Sequence, residues 1–301
     1  MKPKVIVIVG PTATGKSDLA VALALKLDGE IISADSRQVY RGLNLGTGKI
    51  TKKEMQSVPH HLLDVASPKK QFNADQYRTL ADKAIASILK KGCLPVIVGG
   101  TGFYIDTLLS QNSLPSVPPN PKLRKKLEKK NVDALFQELQ ILDAKRAETI
   151  DRHNKVRLIR AIEIANALGK VPDIDTTQKY ETMFIGLALP DANLQTRIKN
   201  RLNLRIKKRM IREVSKLHKQ GLSWKRMEEL GLEYRYIAQF LQKKISKEEM
   251  LGTLEKEIWQ YAKRQMTWFK RNKEIHWMDP TKKDTLKKAE KLTKAFIGKN
   301  Q

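Results

Sequence analysis

Residues Gly10-Pro11-Thr12-Ala13-Thr14-Gly15-Lys16-Ser17 satisfy G-x-x-x-x-G-K-[ST], and with their flanks they restrict the fold more than any other part of the chain. Val5-Ile6-Val7-Ile8-Val9 before the loop is an apolar β-branched run suited to a strand buried on both faces. After it, Ser17 to Leu27 places Leu19, Ala20, Leu23 and Leu27 along one side of a helix. Strand, glycine loop and helix start form a cradle in which backbone N–H groups and the positive end of the helix dipole face an anion. Lys16 adds a mobile positive charge, and the Ser17 hydroxyl is suited to holding Mg2+. The loop specifies a polyphosphate without specifying which one.

Charge points to a second, larger anion. The chain of 301 residues has 58 Lys and Arg against 32 Asp and Glu, and +20 of its formal net charge of +26 falls after residue 110. A small phosphorylated metabolite does not require that excess, whereas a nucleic-acid backbone is attracted by it. The lone Cys93 excludes an internal disulfide framework and a zinc finger, and beside an apolar strand it reads as a packed thiol. His60 and His61 are adjacent and His153, His218 and His276 are scattered, so no metal-ligand cluster stands out. No apolar run approaches about 18 residues, and the N-terminus enters a strand without a signal peptide. The expectation is a cytoplasmic protein with no membrane contact.

Further strands are expected at Glu30–Ala34, Pro95–Val98 and Met183–Leu189, alternating with helices such as Thr79–Lys91. That alternation predicts an α/β fold, a P-loop NTPase-like parallel sheet flanked by helices, with function at the carboxyl ends of the strands. Three polar, turn-forming sequences fall there: the phosphate loop, Asp35–Tyr40 and Gly99–Tyr104. Four prolines in Leu114–Pro121 break the pattern, and the basic helical stretch from Lys122 to Leu168 has a helix stop at Gly169. Residues 114–180 therefore read as a helical insertion in a core made of 1–113 and 181–301. One long helix is expected over Asn193–Gln220, another over Leu254–Arg271 with its aromatics mostly in the core, and a short one over Lys282–Gln301.

Asp35 sits just past a strand, one loop from the phosphate cradle, where a carboxylate can accept a proton or bind Mg2+, or else serve as an N-cap or turn residue. The strand at 95–98 ends in Gly-Gly-Thr instead of the acidic residue that motor ATPases place there to hold Mg2+. Loop donors of this kind suit anchoring an anion better than driving hydrolysis.

These residues resemble the tRNA dimethylallyltransferase (tRNA isopentenyltransferase) family, bacterial type. The resemblance rests on Gly10–Ser17, Asp35-Ser36-Arg37-Gln38-Val39-Tyr40-Arg41-Gly42, Leu45-Gly46-Thr47-Gly48-Lys49, His60-His61-Leu62-Leu63-Asp64, Gly99-Gly100-Thr101-Gly102-Phe103-Tyr104 and Ala262–Phe269, in family order and across nearly the whole chain. It implies transfer of a dimethylallyl group from dimethylallyl diphosphate to N6 of the adenosine 3′ of the anticodon. Gly10 to Ser17 would hold the diphosphate, with Lys16 catalytic and Ser17 on Mg2+. Asp35 would act as general base, and the family's Arg-Ile-x-x-Arg pattern places a catalytic arginine at Arg201, a second copy ending at Arg209 leaving Arg205 as the competing register. Asp35, Ser36, Arg37, Gln38 and Thr101 would face the flipped adenosine. Arg124, Arg157 and Arg160 would contact the tRNA anticodon stem-loop. The resemblance further implies a monomer. The rival readings are a P-loop kinase of a nucleotide or small metabolite, which leaves the C-terminal charge unused, and a non-catalytic RNA-binding module.

Overall fold

A computed structural model describes residues 2–111, 115, 117–172 and 177–298. The elements run β1 (Lys4–Val9), α1 (Lys16–Lys26), β2 (Gly29–Ser33), α2 (Lys52–Met55), β3 (His60–His61), α3 (Ala74–Lys90), β4 (Leu94–Val98) and α4 (Gly102–Leu109). Four helices follow, α5 (Pro121–Leu127), α6 (Val132–Leu142), α7 (Ala144–Thr149) and α8 (Lys155–Leu168). The chain then continues through β5 (Glu181–Leu187), α9 (Asp191–Lys207), α10 (Met210–Lys219), α11 (Trp224–Leu230), α12 (Leu232–Leu241), α13 (Lys247–Phe269), β6 (His276–Met278) and α14 (Thr285–Gly298).

The strands form one six-stranded sheet in the order β3-β2-β4-β1-β5-β6, and every pairing is parallel. The fold is α/β of the P-loop NTPase-like kind. β1 lies between β4 and β5, which is why Val5 to Val9 are apolar without alternation and fully buried. Val98 pairs with Ile8 on one side and Ser33 on the other. The loops after β2, β4 and β1 therefore leave three neighbouring strands at one level. Beneath them, Ile6, Ile8, Leu19, Leu23, Ile31, Val96 and Ile185 form a buried cluster.

Contacts divide the chain into two compact units, Met1–Leu109 with Lys179–Gln301, and Ser110–Gln178. The second unit has its own core of Leu127, Leu135, Leu139, Leu158 and Ile162. α8 ends at Gly169 in the left-handed conformation, φ 80°. No helix among the described residues is long and apolar enough to cross a membrane.

Some elements differ from the sequence expectations. α3 starts at Ala74, ahead of the apolar pattern, because Asn73 and Gln76 form a capping box. The long helix expected over Asn193–Gln220 is two helices, α9 and α10, divided at Arg209, whose φ of 72° turns the chain. Of the aromatics on α13 only Phe269 is in the core. Cys93 is partly exposed instead of packed. The two-residue β3 and the edge strand β6 are too short to leave a periodicity in the sequence.

Candidate active site

The three loops line one cavity of about 480 Å3. Thr12, Ala13, Gly15, Lys16 and Ser17 supply one side, Asp35 and Gln38 a second, and Gly99 and Gly100 a third. α9 contributes Arg201 and Arg205, and α13 contributes Tyr261 and Gln265. In the phosphate loop, Gly15 caps α1 with φ 87°, a conformation that a side chain would strain. The Thr14 hydroxyl donates to Pro11 O at 2.9 Å, which closes the loop on itself. Gly10 and Pro11 complete the turn out of β1.

Lys16 Nζ donates to Pro11 O at 2.6 Å. Burial, helped by the nearby charge of Arg201, pulls the Lys16 ammonium down to about 7, against the opposing pull of Asp35. Arg201 donates to the Thr12 hydroxyl. Burial, and after it the like charge of Arg205, brings the Arg201 guanidinium down to about 9. Arg205 is held differently, by Glu233 at 3.3 Å.

Asp35 forms a turn and does not cap a helix. Its Oδ1 accepts the N–H groups of Arg37 at 2.8 Å and Gln38 at 3.2 Å, so Oδ2 stays outside the turn. Thr101 Oγ1 accepts the Ser36 N–H at 3.0 Å and joins this turn to the Gly-Gly-Thr loop. The Tyr261 phenol lies on the same cavity wall. Arg37 does not line the cavity; its Nε donates to the last carbonyl of α11, Leu230 O, at 2.7 Å.

The chain is similar to known proteins over most of its length. The IPP transferase family model matches residues 38–272. A tRNA dimethylallyltransferase 2 of Treponema denticola is 44% identical over 283 residues, covering 91% of this chain and 95% of that one. The chain belongs to the IPP transferase family. Among solved structures, the full-length tRNA isopentenylpyrophosphate transferase of Bacillus halodurans superposes with a TM-score of 0.76 at 34% identity, covering 98% of this chain and 97% of that one. A eukaryotic dimethylallyltransferase captured acting on tRNA gives a TM-score of 0.87 at 26% identity, covering 99% of this chain and 80% of that one.

Two site-building residues of this family member lie outside the sequence reading. Gln265 Oε1 accepts the Thr12 N–H at 2.8 Å, and its Nε2 donates to Gly100 O at 2.9 Å. Glu213 accepts the N–H groups of Leu45 at 2.7 Å and Gly46 at 3.1 Å and the Tyr234 hydroxyl at 2.9 Å, fixing the loop that forms the far wall. Gln265 falls within the stretch Ala262–Phe269 that carries the resemblance, and Glu213-Val214 sets the spacing that favours Arg201 over Arg205, so each has a local signal but none for its role as a tether.

In the unit Ser110–Gln178, Arg124 and Arg160 are not free surface cations. Both bond the buried carboxylate of Glu163, Arg124 Nη2 at 2.7 Å, and Arg160 also donates to Val117 O at 2.9 Å. Burial alone would raise the Glu163 pKa, but Arg124, the Asn120 N–H and Arg160 outweigh it and hold the carboxyl at about 2. Arg157, three residues from Arg160, is exposed.

Proposed function

We infer that this cavity transfers a dimethylallyl group from dimethylallyl diphosphate to N6 of the adenosine 3′ of the anticodon, position 37, in tRNA, releasing diphosphate. The observation that carries this reading is the meeting of a phosphate loop, an inward-facing Arg201 and the turn carboxylate Asp35 in one cavity. The relatives' names and the family membership support it over a P-loop kinase.

The bond between the allylic carbon and its diphosphate oxygen breaks, and its electron pair leaves with the diphosphate. Lys16, Arg201 and the loop N–H groups are placed to stabilise that growing negative charge. N6 forms the new bond to the allylic carbon and must lose a proton, which Asp35 is placed to accept. Ser36, Gln38 and Thr101 would hold the target nucleotide beside Asp35. An adenine reaches such a cavity only by leaving the stack. Arg157 would meet RNA phosphates, while Arg124 and Arg160 are held by Glu163.

Ser17 and Asp35 are both hard oxygen donors on the cavity wall, and no group of three or more His, Cys, Asp or Glu suited to a metal occurs among the described residues. This donor set fits Mg2+ that takes its remaining ligands from diphosphate and water, not an all-protein cage. When bound, the ion would neutralise charge on the diphosphate. A tRNA substrate agrees with action in the cytoplasm.

Incubation with labelled dimethylallyl diphosphate and an anticodon stem-loop tests the reading. Label transferred to the RNA is the expected result. ATP turnover without RNA, and no transfer, would replace it with the kinase.

A further inference from the structure

Six basic side chains line the cavity: Lys16, Lys49, Arg197, Arg201, Arg205 and Lys208. Two of them are held in ion pairs. Lys49 pairs with Asp64 at 2.6 Å and Arg205 with Glu233 at 3.3 Å. Lys16 and Arg201 instead donate to Pro11 O and the Thr12 hydroxyl, and among the described residues neither forms an ion pair.

Arg205 is the instructive member. It lies one helical turn beyond Arg201 on α9, so both reach the same side of the helix. Its Nη1 also donates to Gly46 O at 3.5 Å, and its guanidinium occupies the space over Gly48, where an added Cβ would lie 1.6 Å from Nη2. Glu233, in the first turn of α12, is buried, as is most of the Arg205 side chain. A carboxylate in that position is costly unless its charge is used.

Resting on the diphosphate reading above, we propose that Glu233 is a positioning residue that withdraws Arg205 from the diphosphate, leaving Lys16 and Arg201 as the cations that hold it. A third free cation at this pole would bind the released diphosphate as firmly as the transition state. Such uniform binding lowers KM without raising kcat and slows product release. Glu233 keeps the guanidinium as part of the wall while cancelling its charge.

Calorimetric titration of the whole chain with inorganic diphosphate reads this directly and does not depend on prenyl transfer, so loss of the functional reading and loss of this proposal are separate results. Glu233→Gln is expected to tighten diphosphate about tenfold, and in steady state to lower kcat and the KM for dimethylallyl diphosphate together, with the single-turnover rate kept. Arg205→Met alone, which leaves Glu233 bare, is expected to weaken diphosphate. The double variant Arg205→Met with Glu233→Gln is expected to return its affinity to the wild-type value. A folded Glu233→Gln protein with unchanged diphosphate affinity overturns the proposal. So does a double variant as weak as Arg205→Met, because Arg205 would then be a direct ligand; this comparison stands even where Glu233→Gln alone folds poorly.

Discussion

The amide of Gln265 on α13 bonds the Thr12 N–H at 2.8 Å with its oxygen and Gly100 O at 2.9 Å with its nitrogen. One buried side chain thereby fixes the distance between the phosphate loop and the Gly-Gly-Thr loop. Replacing it with Leu leaves a donor and an acceptor unpaired, at a cost of about 1–3 kcal/mol for each buried group. Gln265→Leu is expected to lower Tm and to raise the KM for dimethylallyl diphosphate. Gln265→Glu retains the acceptor for Thr12 but sets a buried carboxylate oxygen against Gly100 O beside the anion site, and is expected to raise KM at least as much as Leu. Equal KM values for all three proteins would show that the tether does not set the site.

Asp35 performs two tasks that substitution can separate. Asn keeps an oxygen for the Arg37 and Gln38 N–H groups but cannot take a proton, whereas Ala loses both functions. Asp35→Asn is expected to lower kcat by about 10²–10⁴-fold with diphosphate affinity retained. Asp35→Ala should add a loss of tRNA affinity as the turn loosens. Normal turnover by Asp35→Asn would take the proton elsewhere.

The same contrast shows what the sequence could reveal. The loops after β1, β2 and β4 were readable because each is a short local pattern attached to an apolar run, and a parallel sheet brings strand ends to one edge. Gln265 and Glu213 were not, because their partners lie far away in sequence and only packing pairs them. Arg209 is an ordinary helix former, and nothing local announces its left-handed turn. The partnership of Arg124 and Arg160 with Glu163 is likewise made by packing, across 39 residues in the case of Arg124. A lone carboxylate in Ile162-Glu163-Ile164, on an apolar helix face, was the clue to a buried ion cluster.

Arg201 and Arg205 should differ sharply when replaced. Arg201→Ala removes a cation beside the phosphate loop and is expected to cost about 2–4 kcal/mol of transition-state stabilisation, by analogy with loss of one oxyanion donor. Measured as kcat/KM under single-turnover conditions, Arg205→Ala should cost less, since Glu233 already engages that guanidinium. The reverse order would move the catalytic role one turn along α9.

Lys16 at about 7 gives diphosphate binding a pH signature. In the free protein the ammonium loses its proton as pH rises through about 7, while a bound anion favours the charged form. Binding near pH 8 is therefore expected to take up a proton, and uptake should vanish below about pH 6. Affinity should fall as pH climbs from 7. Because the folded pKa lies below the unfolded 10.5, the unfolded chain holds more protons between the two values. The Lys16 contribution to stability thus rises with pH across that window. Calorimetry in buffers of different ionisation enthalpy counts the protons, and no uptake at pH 8 would mean that Lys16 stays charged.

The cluster around Glu163 separates RNA binding from folding in the unit Ser110–Gln178. Glu163 is buried beneath two partly exposed arginines, and removing one partner of a buried ion pair costs about 3–5 kcal/mol. Arg124→Ala and Arg160→Ala are therefore expected to lower Tm, with changes in RNA affinity that follow the loss of structure. Arg157 is exposed, and Arg157→Ala should leave Tm unchanged. If it meets a phosphate, the log–log salt slope of stem-loop binding should fall by about one unit. The cluster also has an acid signature. Glu163 is depressed to about 2 from 4.5, so the stability it contributes is full above the unfolded value and is lost as pH falls towards 2. Glu163→Gln should flatten the acid limb of the melting curve between those values. A salt slope that drops for Arg124→Ala at unchanged Tm, and not for Arg157→Ala, would reverse the assignment and make the paired arginine the phosphate ligand.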